Sequence, residues 1–199
     1  MKYVSILIIL LLGSCNKITG GVEPFSVIPN SNMSNKEIIQ EKIEIPIAHH
    51  FDFPVGKPDA KGYYNAQAFG KNDHLGGDWN ANTGGNSDLG DPIYSIANGK
   101  VTFAEDIGSG WGNVIRITHH LPDSTYVESL YAHCDEILVS TDSIVKRGDQ
   151  IGTIGTANGA YLAHLHFEMR DSLELPIGGG YSSDTTGYLN ATEFINQHR

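Results

Sequence analysis

The 199-residue chain has only two cysteines, Cys15 and Cys134. Cys15 closes an apolar leader, which leaves Cys134 without an intrachain partner and excludes a disulfide framework. Beside His133, Cys134 invites a cysteine–histidine nucleophile. A lone cysteine in strand-like apolar sequence is instead expected to be a small buried hydrophobe. Basic residues are scarce, 13 Lys and Arg against 23 Asp and Glu. With no basic run or patch, nucleic acid is not expected as a partner. Long helical repeats are also missing. Glycine is abundant at 23 residues, which points to a turn-rich, β-rich domain.

The leader begins with Lys2, continues as a nearly unbroken apolar run from Val4 to Leu12, and ends in Gly13-Ser14-Cys15. The run is too short for a membrane-spanning helix of ~20 residues and reads as a signal peptide. Leu12-Gly13-Ser14-Cys15 resembles the lipobox of bacterial lipoproteins. That implies removal of the leader, residues 1–15 being the lipoprotein signal region, and lipidation of Cys15. The product would be a membrane-anchored lipoprotein of the bacterial cell envelope, on its periplasmic or extracellular face. Residues 16–48 are polar and read as a tether. Residues 49–199, short apolar runs divided by Gly, Asp and Asn, read as one domain.

Within that domain, 91–96, 99–104, 112–119, 124–133, 144–147, 150–155 and 161–169 read as short strands. Turn signals at this spacing suggest an antiparallel folded sheet or sandwich. Alternation over 124–133 puts Val127, Ser129, Tyr131 and His133 on one face and Leu130 and Ala132 on the other. A short C-terminal helix is expected, with Asn190 as cap and Glu193 at the third helical position.

Two clusters carry chemistry. In His164-Leu165-His166-Phe167-Glu168, strand geometry puts His164 and His166 on one face, with Leu165 and Phe167 opposite. Such a pair suits metal ligation, acid–base work, or one of each. Upstream, His74 and Asp78 are four residues apart, and Gly76-Gly77 permits a tight backbone between them. His74, Asp78 and one histidine of the triplet offer two nitrogens and one oxygen. Three protein ligands with a fourth position open is the pattern of a catalytic zinc site.

The frame around these clusters resembles the M23 metallopeptidases, the lysostaphin-like or LytM-type peptidoglycan endopeptidases, over roughly Phe51 to Glu168. Its parts stand in order: His74-Leu75-Gly76-Gly77-Asp78, Gly110-Trp111-Gly112-Asn113, Tyr131-Ala132-His133, Val145-Lys146-Arg147-Gly148-Asp149-Gln150-Ile151-Gly152, and His164-Leu165-His166-Phe167-Glu168. The resemblance implies a mainly β fold, an antiparallel folded sheet of the lysostaphin-like, duplicated hybrid type with a groove holding the metal. It implies one Zn2+ bound by His74, Asp78 and His166, with His133 and His164 as catalytic groups beside the attacking water and the scissile carbonyl. The substrate implied is a peptidoglycan peptide, cut at its cross-links. The alternative is a non-enzymatic LytM-type module that activates a cell-wall amidase. Members of that kind typically lack some zinc ligands, whereas every ligand position is filled here. A zinc carboxypeptidase-like reading is disfavoured by the four-residue His–Asp step and the strand triplet.

Other residues stay open at this stage. Glu168 suits either a hydrogen bond to a ligand imidazole or a structural carboxylate. Tyr131 and Trp79 suit either a substrate groove or packing. His119 and His120 read as strand-end and loop residues, and His49 and His50 as outside the site. The chain departs from the family pattern at Ala163, Gly77 and Cys134 and in a longer loop over 120–129, none of which removes a ligand.

Overall fold

The computed structural model describes residues 44–199. Cys15, the leader and most of the expected tether lie outside the described residues. Ten strands and one helix follow: β1 (Tyr63–Gln67), β2 (Gly77–Ala81), β3 (Pro92–Tyr94), β4 (Gly99–Asp106), β5 (Asn113–His120), β6 (Tyr126–Ile137), β7 (Ile144–Val145), β8 (Gln150–Ile154), β9 (Leu165–Arg170), β10 (Tyr188–Leu189) and α1 (Ala191–Gln197). The main path of the sheet is β1-β2-β9-β6-β5-β4-β7, with β10 on β9 and the β3–β8 pair attached through β6.

The pairing of β6 decides where the sheet folds. Up to Ala132 it pairs with β9, Ala132 standing opposite His166. From Cys134 onward it pairs with β8, Cys134 opposite Ile154. His133 sits at the change of partner. Gly155 is needed there, because a Cβ would fall 2.5 Å from both His133 O and Asp135 N. On the other side of β6, Asn113 faces Cys134 while Ile115 faces Tyr131, so Ala132 and His133 together oppose Val114. This is a β-bulge, which bends a strand and re-aims a side chain.

The core lies on the face of Leu165, Phe167 and Met169, packed with Tyr131, Ile117 and Ile154, all fully buried. Ala48 joins this core, and its N–H donates to His120 O at 2.7 Å. Helix α1 closes one end. Asn190 Oδ1 accepts from Glu193 N at 3.3 Å, and Phe194 meets Phe51 edge-on at 5.1 Å.

β1, β2 and β10 were not anticipated. The β2 sequence Gly-Asp-Trp-Asn-Ala is poor in strand formers. It is extended because it lies between β1 and β9, with Trp79 opposite Leu165 and in the core.

Candidate metal centre

β9 carries His166 on the face away from the core, and His164 stands just before it on the same side. Antiparallel register puts Asp78 of β2 directly opposite His166. His74 comes from the segment preceding β2. Its backbone can approach β9 because Gly76 has no side chain: a Cβ there would meet Phe167 O at 2.7 Å and His166 Cε1 at 3.0 Å.

Three acceptor atoms converge. His74 Nε2 lies 3.0 Å from His166 Nδ1 and 3.3 Å from Asp78 Oδ1, and His166 Nδ1 lies 3.0 Å from Asp78 Oδ1. The protons are accounted for on the far side of each ring. His74 Nδ1 is 3.1 Å from Gln67 O, and His166 Nε2 is 3.0 Å from Glu168 Oε1. A carbonyl or carboxylate oxygen only accepts, so the N–H of each neutral imidazole points outward and its lone pair points inward. Two lone pairs and a carboxylate oxygen facing one another, all but Asp78 deeply buried, require a positive charge between them. Without metal, a proton on His166 supplies it. Burial alone would depress this imidazole, but Asp78 and Glu168 outweigh burial and raise it to about 9. Burial would likewise raise Asp78, and its bonds to His166 and His74 instead hold it well below the carboxylate range. The donor set suits zinc, which takes imidazole and carboxylate ligands.

His133 and His164 stand beside this cluster, ring centroids 4.8 Å apart, with His133 5.6 Å from His166. Simple alternation along β6 places His133 on the face of Tyr131. The bulge corrects that: Tyr131 and Cys134 point to the core, while Ala132 and His133 both turn to the opposite side. His133 has φ +62°, a strained value for a side chain. Its backbone N–H and Nδ1 both reach Trp111 O, at 3.0 and 3.1 Å. His164 Nδ1 is 2.8 Å from Leu162 O. In each ring the carbonyl holds the Nδ1–H tautomer, leaving Nε2 as an acceptor. Burial and the neighbouring His166 and His164 push His133 down to about 3, so it is neutral in the absence of metal.

The cluster opens into a cleft of about 510 Å³, whose walls include Trp111, Tyr161, Gly180 and Tyr181. Tyr161 lies 5.1 Å from the His133 ring, and Tyr181 5.0 Å from His74. Tyr131 and Trp79 are core residues rather than groove residues. Glu168 is fully buried and bonded to His166. His119 is a core residue too, and Cys134 is buried with its thiol pushed up to about 12 by burial. His49 and His50 are exposed. The second tyrosine wall was not legible, because Tyr181 is far in sequence from every motif. Trp111 was visible inside Gly110-Trp111-Gly112, and it acts twice: its carbonyl holds His133, and its ring stands edge-on to His166 at 5.3 Å.

Among relatives, lipoprotein NlpD of Yersinia enterocolitica is 41% identical over 81 residues, 41% of this chain and 78% of that protein. Murein hydrolase activator NlpD of Escherichia coli K12 is 38% identical over 96 residues, 45% of this chain and 24% of that one. The chain thus spans only about a quarter of the latter's length. Among solved structures, lysostaphin from Staphylococcus simulans superposes with a TM-score of 0.56 at 22% identity, covering 75% of this chain and 54% of its own. That likeness establishes the lysostaphin-like fold. Residues 72–177, over half of the chain, match Peptidase family M23. With the ordered motifs, the folded antiparallel sheet and the His-Asp-His cluster all in place, the chain belongs to peptidase family M23.

Proposed function

We propose that this protein is a zinc-dependent endopeptidase that hydrolyses peptide cross-links of bacterial peptidoglycan. The observation that carries this reading is the convergence of His74 Nε2, Asp78 Oδ1 and His166 Nδ1 beside two further imidazoles in an open cleft. These three residues would hold one Zn2+. When bound, zinc supplies a Lewis acid that acidifies water and polarises a carbonyl. His133 and His164, each with Nδ1 bonded to a backbone carbonyl, both line the cleft. Either can take a proton from the attacking water and, once protonated, donate it to the leaving amide nitrogen. The protonated ring is also the first N–H donor available for charge on the carbonyl oxygen. Tyr161 stands beside both rings, 5.1 Å from His133 and 5.9 Å from His164.

The lipoprotein names of relatives support a signal region at 1–15 and a lipid on Cys15. The family match over 72–177 falls inside the peptidase domain proposed for 49–199, which a tether over 16–48 would join to the anchor. An envelope anchor would place the cleft within reach of cross-linked peptides. The Escherichia coli relative is named a murein hydrolase activator, which favours a second reading, a module that activates an amidase. One experiment separates them. The purified chain should bind about one zinc and release soluble peptides from peptidoglycan sacculi, and a chelator should stop release. Release that needs an added amidase favours the second reading, and release that survives the chelator rejects the zinc mechanism.

A further inference from the structure

The polar face of β9 continues beyond the cluster. His166, Glu168 and Arg170 alternate along the strand and project to the same side. Glu168 Oε1 faces His166 Nε2, and Glu168 Oε2 accepts from Arg170 Nε at 2.9 Å and Nη2 at 2.6 Å. Both Glu168 and Arg170 are fully buried. Arg170 also donates from Nη1 to Leu175 O at 3.3 Å and from Nη2 to Ile177 O at 3.2 Å. On its other side lies Glu128 of β6 at 3.6 Å, itself held in a fork by Arg116.

The two carbonyls belong to the segment joining β9 to β10, which builds one wall of the cleft. That wall is tied to the segment bearing His74: Leu75 N donates to Gly180 O at 2.9 Å, and Ser182 N to Asp73 O at 2.8 Å. One guanidinium therefore reaches the metal-side imidazole through Glu168 and the cleft wall through residues 175 and 177.

The geometry points to Arg170 as a positioning residue that holds His166 and the Tyr181 wall in a single register. This rests on the zinc reading above. A carboxylate bonded to an imidazole through one oxygen swivels unless its other oxygen is held, and a guanidinium fork holds it in plane. A lysine carries the same charge at one point and cannot span Glu168 and two carbonyls together. A buried charge array is a weak source of stability compared with apolar packing. What it supplies here is orientation, the property that a neighbour of a metal-binding histidine contributes.

The test uses Arg170→Lys and Glu168→Gln in the purified chain, with zinc affinity read by competition against a chromogenic chelator and amide exchange measured without metal. Arg170→Lys should weaken zinc binding by about ten- to a hundredfold. It should also speed exchange at the Leu75 and Ser182 amides by about tenfold, with β5 and β6 amides unchanged. Glu168→Gln should weaken zinc equally and leave Leu75 and Ser182 protected. Unaltered zinc affinity in Arg170→Lys, unaltered exchange at the wall, or uniformly faster exchange throughout would overturn the assignment. Should Arg170→Lys fail to fold, Glu168→Gln with wild-type zinc affinity overturns it. A wild-type chain that binds no zinc rejects the zinc reading instead, and exchange at Leu75 and Ser182 then decides the clamp alone.

Discussion

The two faces of β9 make opposite use of the same six residues. One face sends Leu165, Phe167 and Met169 into the core, where contact is non-directional and its value follows buried area. The other sends His166, Glu168 and Arg170 into a line of bonds, each polar atom answered by a specific partner. The apolar face stabilises the strand. The polar face uses that rigidity, since a strand fixes the spacing of Cβ atoms two residues apart and leaves only the orientation of each side chain to its bonds. The contrast is not absolute. On the core side of β6, Ser129 Oγ lies 2.8 Å from His119 Nε2 and 3.1 Å from Tyr131 Oη, and His119 Nδ1 donates to Asn98 O. That small polar chain is satisfied internally and has no outlet to the cleft.

The comparison is broken most completely at His166. On the zinc reading, His166→Ala should reduce bound zinc to background by elemental analysis and abolish peptide release. Phe167→Ala, one residue along and facing the other way, should leave the zinc stoichiometry of folded protein intact. It should cost about 3–5 kcal/mol in urea unfolding, because a fully buried ring packed 5.2 Å from Tyr131 is lost.

The polar chain within the core is tested by acid. Burial lowers His119 to about 4, from an ordinary value of 6.5. Above about pH 6.5 the ring is neutral whether the protein is folded or not. As pH falls from there towards 4, the unfolded chain takes a proton that the folded chain refuses, so stability is lost with acid, by up to about 3 kcal/mol. Urea midpoints followed over that range should fall less steeply for His119→Gln than for the wild type.

The smallest effect concerns the bulge. His133 has φ +62°, where glycine carries no penalty. His133→Gly should exceed His133→Ala in stability by about 1 kcal/mol. Both should keep zinc and lose turnover. Equal stabilities would mean that the bulge relaxes once the imidazole is gone.

Much of the layout is legible in the sequence. The two-residue step from His164 to His166, the Asn190 cap and most strands were visible as periodicity and turn chemistry. The ordered motifs singled out His74, Asp78, His133, His164 and His166; the last four line one cleft, and His74 lies buried against Asp78 and His166. Three things were not legible. β2 lacks strand formers, because Asp78 is held extended by its neighbours rather than by local preference. The face of His133 contradicted alternation, because its direction depends on where β6 changes partner. Tyr181 and Arg170 gave no signal, because their roles come from contacts between segments distant in sequence.

By itself the sequence determined what covalent geometry and local preference carry: the alternation of β9, the residues available as ligands, and the family to which their order belongs. Only the tertiary structure decided what depends on pairing between strands. It set Asp78 opposite His166, turned His133 out of the core at a bulge, and joined His166 to the cleft wall through Glu168 and Arg170. Register and bulges are properties of two strands at once, so no single stretch of chain contains them.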